Sequence, residues 1–177
     1  MERLRDDCLI AIMEALARLE SDGLVSRRNR VGTFVAPVDK AMLLASFASR
    51  DMVEQFVTPA VAEKLTADDI SALRKSLDTL DALISAAGDT NTFDYASYTR
   101  HDHDFHVALV SRCDNPQIIT FYRSLNSHMQ IARGYSNYAL KRAIEGLAEH
   151  RQILQAFINQ DIEQARTLQH AHLERSR

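Results

Sequence analysis

From Asp39 to the end of the chain, apolar residues recur every three or four positions, and only short polar stretches interrupt the pattern. This spacing places apolar side chains along one face of a helix. The 177 residues include 5 glycines and 3 prolines, which argues against a turn-rich β protein. Helical segments joined by short connections predict a mainly α fold, namely an antiparallel six-helix bundle.

Capping residues separate the six predicted helices. Thr66 is a typical N-cap for the second helix. Asn115 followed by Pro116 predicts the start of the fourth, since proline is favoured at the first helical position. Asp161, with Gln164 three residues later, predicts the start of the sixth. We predict helices at 39–64, from 66 to a loop at 88–92, and at 93–112, 116–139, 141–159 and 161 onward.

The N-terminal part of the chain has a different pattern. Residues 9–20 predict a short helix, which ends at Gly23. Residues 24–27 and 33–35 predict two short strands, and residues 28–32 between them carry hairpin turn residues. The change of pattern predicts two domains, a small unit at 1–37 and a helical domain at 39–177.

Charge and cysteine content narrow the cellular setting. A net charge of −3 means that any nucleic-acid contact must rely on a local basic patch. Cys8 and Cys113 have no metal-type spacing and fit a reducing compartment. Residues 1–12 carry five charged groups and no sustained apolar core, so we expect no signal peptide. With no segment of membrane-spanning length, a cytoplasmic protein is predicted.

Four ionisable residues occupy inward positions of the predicted apolar faces. A buried, unpaired carboxylate or imidazole is costly, whereas one divalent metal ion would satisfy all four. Each histidine could instead be a core residue with one hydrogen bond, and the four could form a polar network in a domain that only dimerises. An alternative pair, His103 with His106, is disfavoured because position 103 lies off the apolar face. We call the four residues the Asp–His group: Asp102, His106, His150 and His172.

Three further residues are candidates for a ligand pocket. Arg50 interrupts an apolar face, and a buried arginine needs a carboxylate or phosphate partner. That partner could be a bound ligand or Glu54, one helical turn away. His128 could bind a ligand or a backbone carbonyl, and Tyr135 on the same face is a core residue or an effector contact.

Several segments resemble GntR-type transcriptional regulators with a FadR-like C-terminal ligand-binding domain (FCD). Residues 14–25, EALARLESDGLV, are similar to the end of the recognition helix and the start of the wing, and residues 30–35, RVGTFV, to the wing tip. The resemblance covers residues 13–177. In the helical part it includes these motifs: Arg50-x3-Glu54, Asp102-x2-Phe105-His106-x2-Leu109, Asn115-Pro116, Glu149-His150-x2-Ile153-Leu154, and Ala165 through His172-Leu173.

The resemblance implies a homodimeric, all-helical effector domain of the six-helix, VanR-like type. The Asp–His group would hold a divalent ion, with zinc as first candidate and nickel or manganese as others. A small organic acid would complete the coordination, and Arg50 would bind its carboxylate. His128 and Tyr135 remain predicted effector contacts from their positions in the sequence. The resemblance also assigns DNA contacts in the winged-helix region to Arg18, Arg27, Arg28 and Arg30.

One departure from the family concerns the winged helix. The family has two further helices before the recognition helix, and its arginine before Glu-Ala-Leu is Met13 here. We therefore expect a partial winged helix with weak or lost DNA binding, either in a truncated or mis-started gene product or in a protein that has lost operator binding. The sequence leaves two alternatives to a regulator: a small metal-dependent hydrolase, which three His and one Asp could support, and a dimerisation-only, dominant-negative module.

Overall fold

The computed structural model of the protein describes residues 2–21, 23–37, 40–89, 92–125 and 139–177. Two compact units are present, Met1–Asp39 and Lys40–Arg177. The first contains α1 (Glu2–Ser21) and the strands β1 (Val25–Arg28) and β2 (Gly32–Val35). In the second, the described helices are α2 (Lys40–Lys64), α3 (Ala67–Ser85), α4 (Tyr95–Val110), α5 (Pro116–Ser124), α6 (Ala139–Ile158) and α7 (Ile162–Ser176). The prediction of a mainly α protein, with a helix and hairpin before a helical bundle, is confirmed.

The N-terminal unit is a helix followed by a two-stranded antiparallel hairpin. Its register pairs Val25 with Val35 and Arg28 with Gly32. Gly32 has φ 144°, a conformation that residues with a Cβ rarely adopt, so glycine is required there. Helix α1 starts at Glu2, not near residue 9 as the sequence predicted. Residues 2–21 contain no glycine or proline, so nothing in the backbone interrupts the helix earlier.

The core of the helical unit lies between α3, α4 and α6. Helix α3 packs against α4 and α6, and α7 packs against α2 and α6. Large side chains such as Phe105 and Ile153 are fully buried in this core, and burying one of them contributes roughly 1.5–3 kcal/mol. Because α4, α6 and α7 all turn a face toward this interior, polar residues on those faces meet there. None of the described helices combines the length and apolar composition needed to span a membrane.

Side-chain caps set several helix starts, as the sequence predicted. Thr66 and Asp69 form a reciprocal capping box at the start of α3. Asn115, which precedes α5, accepts hydrogen bonds from the backbone amides of Gln117 and Ile118. Asp161, which precedes α7, accepts one from the backbone amide of Gln164. Helix α5 ends at Ser124, earlier than the predicted residue 139, and residues 126–138 lie outside the described part of the chain.

A proline within α2 creates a contact between α2 and α7. Pro59 has no N–H, so the carbonyl of Gln55, four residues earlier, lacks its helical donor. The Arg166 Nε donates to that carbonyl oxygen at 3.3 Å, and Gln55 Nε2 donates back to the Arg166 carbonyl at 2.9 Å. The proline therefore tethers α2 to the helix that carries His172.

We expect Thr66→Ala to lower the free energy of unfolding by about 1 kcal/mol, because it removes the N-cap of α3. Chemical denaturation of the purified protein measures this change. Thr79→Ala is the matched control: Thr79 is exposed within the same helix and donates only to the Lys75 carbonyl. Alanine is the better helix former, so this control is expected to be neutral or slightly stabilising. Equal destabilisation by both variants would contradict the capping role.

Candidate metal centre

The Asp–His group converges inside the helical unit. Helix α4 supplies the aspartate and the first histidine at i and i+4, while α6 and α7 supply one histidine each. All four residues are at most 3% exposed. One ligand atom from each lies within 4.8 Å of the others. Helical periodicity placed each residue on an inward face, and the packing of three helices brings those faces together.

The distances within the group resemble those between ligands of one ion. His150 Nε2 lies 3.0 Å from His106 Nε2 and 3.3 Å from His172 Nε2, and 3.4 Å from Asp102 Oδ1. Donors placed about 2.1 Å from an ion are about 3.0 Å apart at right angles and about 3.4 Å apart at tetrahedral angles. Opposite donors are about 4.2 Å apart, so a pair at the 4.8 Å limit would approach by about 0.6 Å if it occupied opposite positions.

The protonation state of His150 also favours a bound cation. Burial, and after it the neighbouring His172, lower the pKa of His150 to about 3, so this imidazole is neutral, the form that binds metals. Its Nε2 faces two imidazole nitrogens and a carboxylate, but a neutral imidazole offers one N–H at most. Its buried Nδ1 has no hydrogen-bond partner among the described residues. A shared cation would satisfy the converging lone pairs better than hydrogen bonds can.

Glu149 contacts the group from outside, which the sequence analysis did not predict. Its Oε2 lies 2.6 Å from His172 Nδ1, and it accepts hydrogen bonds from Arg142 and Arg175. Partial burial alone would raise the pKa of Glu149, but the hydrogen bonds from His172 and Arg142 outweigh it and hold the pKa well below its usual value. The carboxylate is therefore charged. The position of Glu149 next to His150 in the sequence did not predict this contact, because its partner His172 lies on a different helix, α7.

Arg50 lies in a buried network next to the Asp–His group. It donates to Glu54 Oε1 at 2.9 Å and to the Tyr122 hydroxyl at 3.1 Å, so the ion pair with Glu54 that the sequence left open is present. Burial raises the pKa of the Tyr122 hydroxyl well above its usual value, and Arg50 offsets this only in part. The hydroxyl thus stays protonated and donates to Glu54 Oε1 at 2.5 Å. The same Glu54 oxygen lies 3.6 Å from His106 Nδ1.

The other histidines and pocket candidates lie elsewhere. His170 is exposed and pairs with Asp51 at 2.8 Å, as expected for an outward position. His103 stacks on the Tyr122 ring and does not belong to the cluster found among the described residues. His128 and Tyr135, predicted as effector contacts, lie outside the described residues.

The four predicted DNA-contacting arginines are exposed in the N-terminal unit. Arg18 lies in the last turn of α1, and Arg27 pairs with Glu20 at 3.8 Å. Arg28 lies over the Phe34 ring, and Arg30 is in the hairpin turn with φ 62°. Arg27 and Arg28 thus each contact a neighbour within the same unit.

The family model of the FCD domain matches residues 45–175. A curated relative from Streptomyces ambofaciens is described as an uncharacterized HTH-type transcriptional regulator in an unstable DNA locus. It is 25% identical over 162 residues, which are 92% of this chain and 65% of the relative. This chain therefore spans less than two thirds of the relative's length.

Solved structures share the fold. McbR/YncC from E. coli has a TM-score of 0.80 at 21% identity, over 92% of this chain and 79% of that one. A putative GntR transcriptional regulator from Rhodococcus sp. RHA1 has a TM-score of 0.78 at 20% identity, over 97% and 82%. Identity at this level shows a common fold.

We expect zinc to raise the melting temperature of tag-free protein. Binding to the native state at about a hundred times the Kd adds about 2.7 kcal/mol of stability. His150→Gln is expected to lose most of this zinc-dependent shift, because it removes a central donor. His170→Gln is the matched control, since His170 is exposed and pairs with Asp51. A shift that survives in His150→Gln, or disappears in His170→Gln, would contradict a metal site at the Asp–His group.

Proposed function

The chain belongs to the FCD-domain family of GntR-type transcriptional regulators, and from this we propose that its helical unit senses a small carboxylic acid through a divalent ion held by the Asp–His group. Zinc is the first candidate ion, with nickel or manganese as others. The observation that carries this proposal is the buried convergence of one carboxylate and three imidazoles within 4.8 Å. The family consists of regulators, so the hydrolase alternative is set aside.

The Asp–His group would supply the ion with one carboxylate oxygen and three imidazole nitrogens, all within 4.8 Å of one another. A divalent ion held there would act as a Lewis acid and could bind the carboxylate oxygens of the acid directly. The four residues would therefore hold the ion, and the ion would supply the attraction for the acid.

The charge balance of the interior favours an anion. A divalent ion with Asp102 leaves one positive charge, because Arg50 and Glu54 neutralise each other. An uncompensated charge in a dry interior is costly. A bound monocarboxylate would cancel it, so the site would select acids over neutral molecules.

Arg50 is the proposed second contact of the acid. Its described hydrogen bonds use Nε and one terminal nitrogen. A guanidinium has five N–H groups, so donors remain on the other terminal nitrogen for a carboxylate. Glu54 and Tyr122 would orient the guanidinium for that contact.

Regulation would act through a homodimer, the usual state of regulators in this family. Met52 and Phe56 lie one turn apart on α2 and are 62% and 72% exposed. An exposed apolar pair of this kind suits contact with a second copy. In a dimer, the spacing of two DNA-binding units selects half-sites, and an effector shifts that spacing only by its differential affinity for the two arrangements. A domain that dimerises without binding an effector would leave the spacing unchanged.

Arg50→Lys should weaken acid binding by at least about tenfold, the equivalent of 1.4 kcal/mol, because lysine lacks the additional N–H donors of the guanidinium. Calorimetric titration of the zinc-loaded protein with a panel of short mono- and dicarboxylates measures this affinity. Zinc affinity should be retained, since lysine keeps the charge that pairs with Glu54. Arg74→Lys, an exposed arginine on α3, is the control. If no acid binds more tightly with zinc than without it, the effector proposal is wrong.

Arg30→Asn should reduce the slope of log affinity against log salt by about one for a non-specific DNA duplex, because one phosphate contact is lost. Asparagine tolerates the positive φ of this turn position, so the hairpin should persist. Fluorescence anisotropy across a salt series provides the measurement. Arg123→Asn, which changes an exposed arginine on α5, serves for comparison. An unchanged slope in Arg30→Asn would remove Arg30 from the DNA contacts.

A further inference from the structure

We infer that Glu149 is a positioning residue of the metal centre: it holds His172 in the one tautomer and orientation that can bind an ion. This inference deepens the proposed function and rests on it. Glu149 does not point into the Asp–His group. It acts through the far side of one imidazole ring.

The hydrogen bond between the two residues determines the proton position on His172. His172 Nδ1 and Glu149 Oε2 are 2.6 Å apart, and a carboxylate can only accept, so Nδ1 carries the proton. In the neutral ring, Nε2 then has its lone pair exposed. That Nε2 lies 3.3 Å from His150 Nε2, within the Asp–His group. The hydrogen bond at His172 Nδ1 therefore leaves Nε2 available as a metal ligand.

Two arginines hold the carboxylate in place. Arg142, about two helical turns before Glu149 on α6, donates to both of its oxygens at 3.1 and 2.8 Å. Arg175 on α7 donates through Nε to Oε1 at 2.7 Å. Arg142 also donates to Ser176 Oγ at 3.0 Å. With donors from both helices, the carboxylate has one orientation, and that orientation presents Oε2 to His172.

The described contacts at Nδ1 of the other two imidazoles differ from this one. His106 Nδ1 is 3.6 Å from Glu54 Oε1, an oxygen that already accepts from Arg50 and Tyr122. His150 Nδ1 has no hydrogen-bond partner in the described part of the chain. A carboxylate at the back of a metal-binding histidine raises its basicity and fixes its ring. Of the described contacts, the one at His172 has the length for this effect.

The test is Glu149→Gln, which keeps the size of the side chain and removes its charge. Competition with a chromophoric chelator gives the zinc affinity, and we expect it to fall about 10–100-fold. Glu145→Gln is the matched control: Glu145 lies one turn earlier on α6 and also pairs with Arg142, at 3.8 Å, but belongs to the exposed face. Its zinc affinity should stay that of the unaltered protein. Equal affinity in Glu149→Gln, or an equal loss in both variants, would overturn the inference.

A second measurement separates positioning from simple support of the fold. Long-range 15N spectra of the metal-free protein report the tautomer of His172, with its signals assigned through a His172→Gln variant. We expect the proton on Nδ1 in the unaltered protein and in Glu145→Gln, and a mixed population in Glu149→Gln. A structural role alone would lower the melting temperature and leave the tautomer unchanged, which would contradict the inference.

Failure of zinc binding and failure of the Glu149 role give different results. If the unaltered protein binds no zinc, the proposed function fails, while the tautomer measurement on metal-free protein still decides whether Glu149 orients His172. If Glu149→Gln does not fold, Glu149→Asp replaces it, because aspartate keeps the charge but withdraws the carboxylate by one methylene. It should show the same loss of zinc affinity, and an undiminished affinity would overturn the inference.

Discussion

One carboxylate and three imidazoles converge on a common centre in the buried interior of the helical unit, and the charged side chains around this centre contact it from two sides. Nε2 of His150 lies within 3.4 Å of three such donors. The neutral imidazole of His150 offers at most one N–H to these three atoms. A cation would relieve the repulsion, so this buried centre could hold a metal ion.

Charged side chains around the centre are arranged so that each has a partner. On the inner side, Arg50 and Glu54 form a buried ion pair with Tyr122. Removing one partner of such a pair costs roughly 3–5 kcal/mol, because the other charge is left buried. On the outer side, Glu149 is neutralised by arginines and contacts His172. Each of these two carboxylates therefore contacts both an arginine and an imidazole of the Asp–His group.

Much of the local structure could be predicted because it depends on neighbours in the sequence. A period of 3.6 residues was enough to place Asp102 and His150 on inward faces, and a capping box needs only Thr66 and Asp69. The start of α1 was misplaced because its first turns lack an apolar pattern, although nothing breaks the helix. Hydrophobic periodicity detects only those helical segments that carry an apolar face.

The sequence by itself determined which residues share a helix face, since backbone geometry sets that pattern within a few turns. Only the tertiary structure decided which faces meet and at what distance. Glu149 contacts His172, 23 residues away, and Tyr122 contacts Glu54 across 68 residues. Hydrogen bonds require placement within a few tenths of an ångström. That placement follows from how whole helices pack, which no local pattern contains.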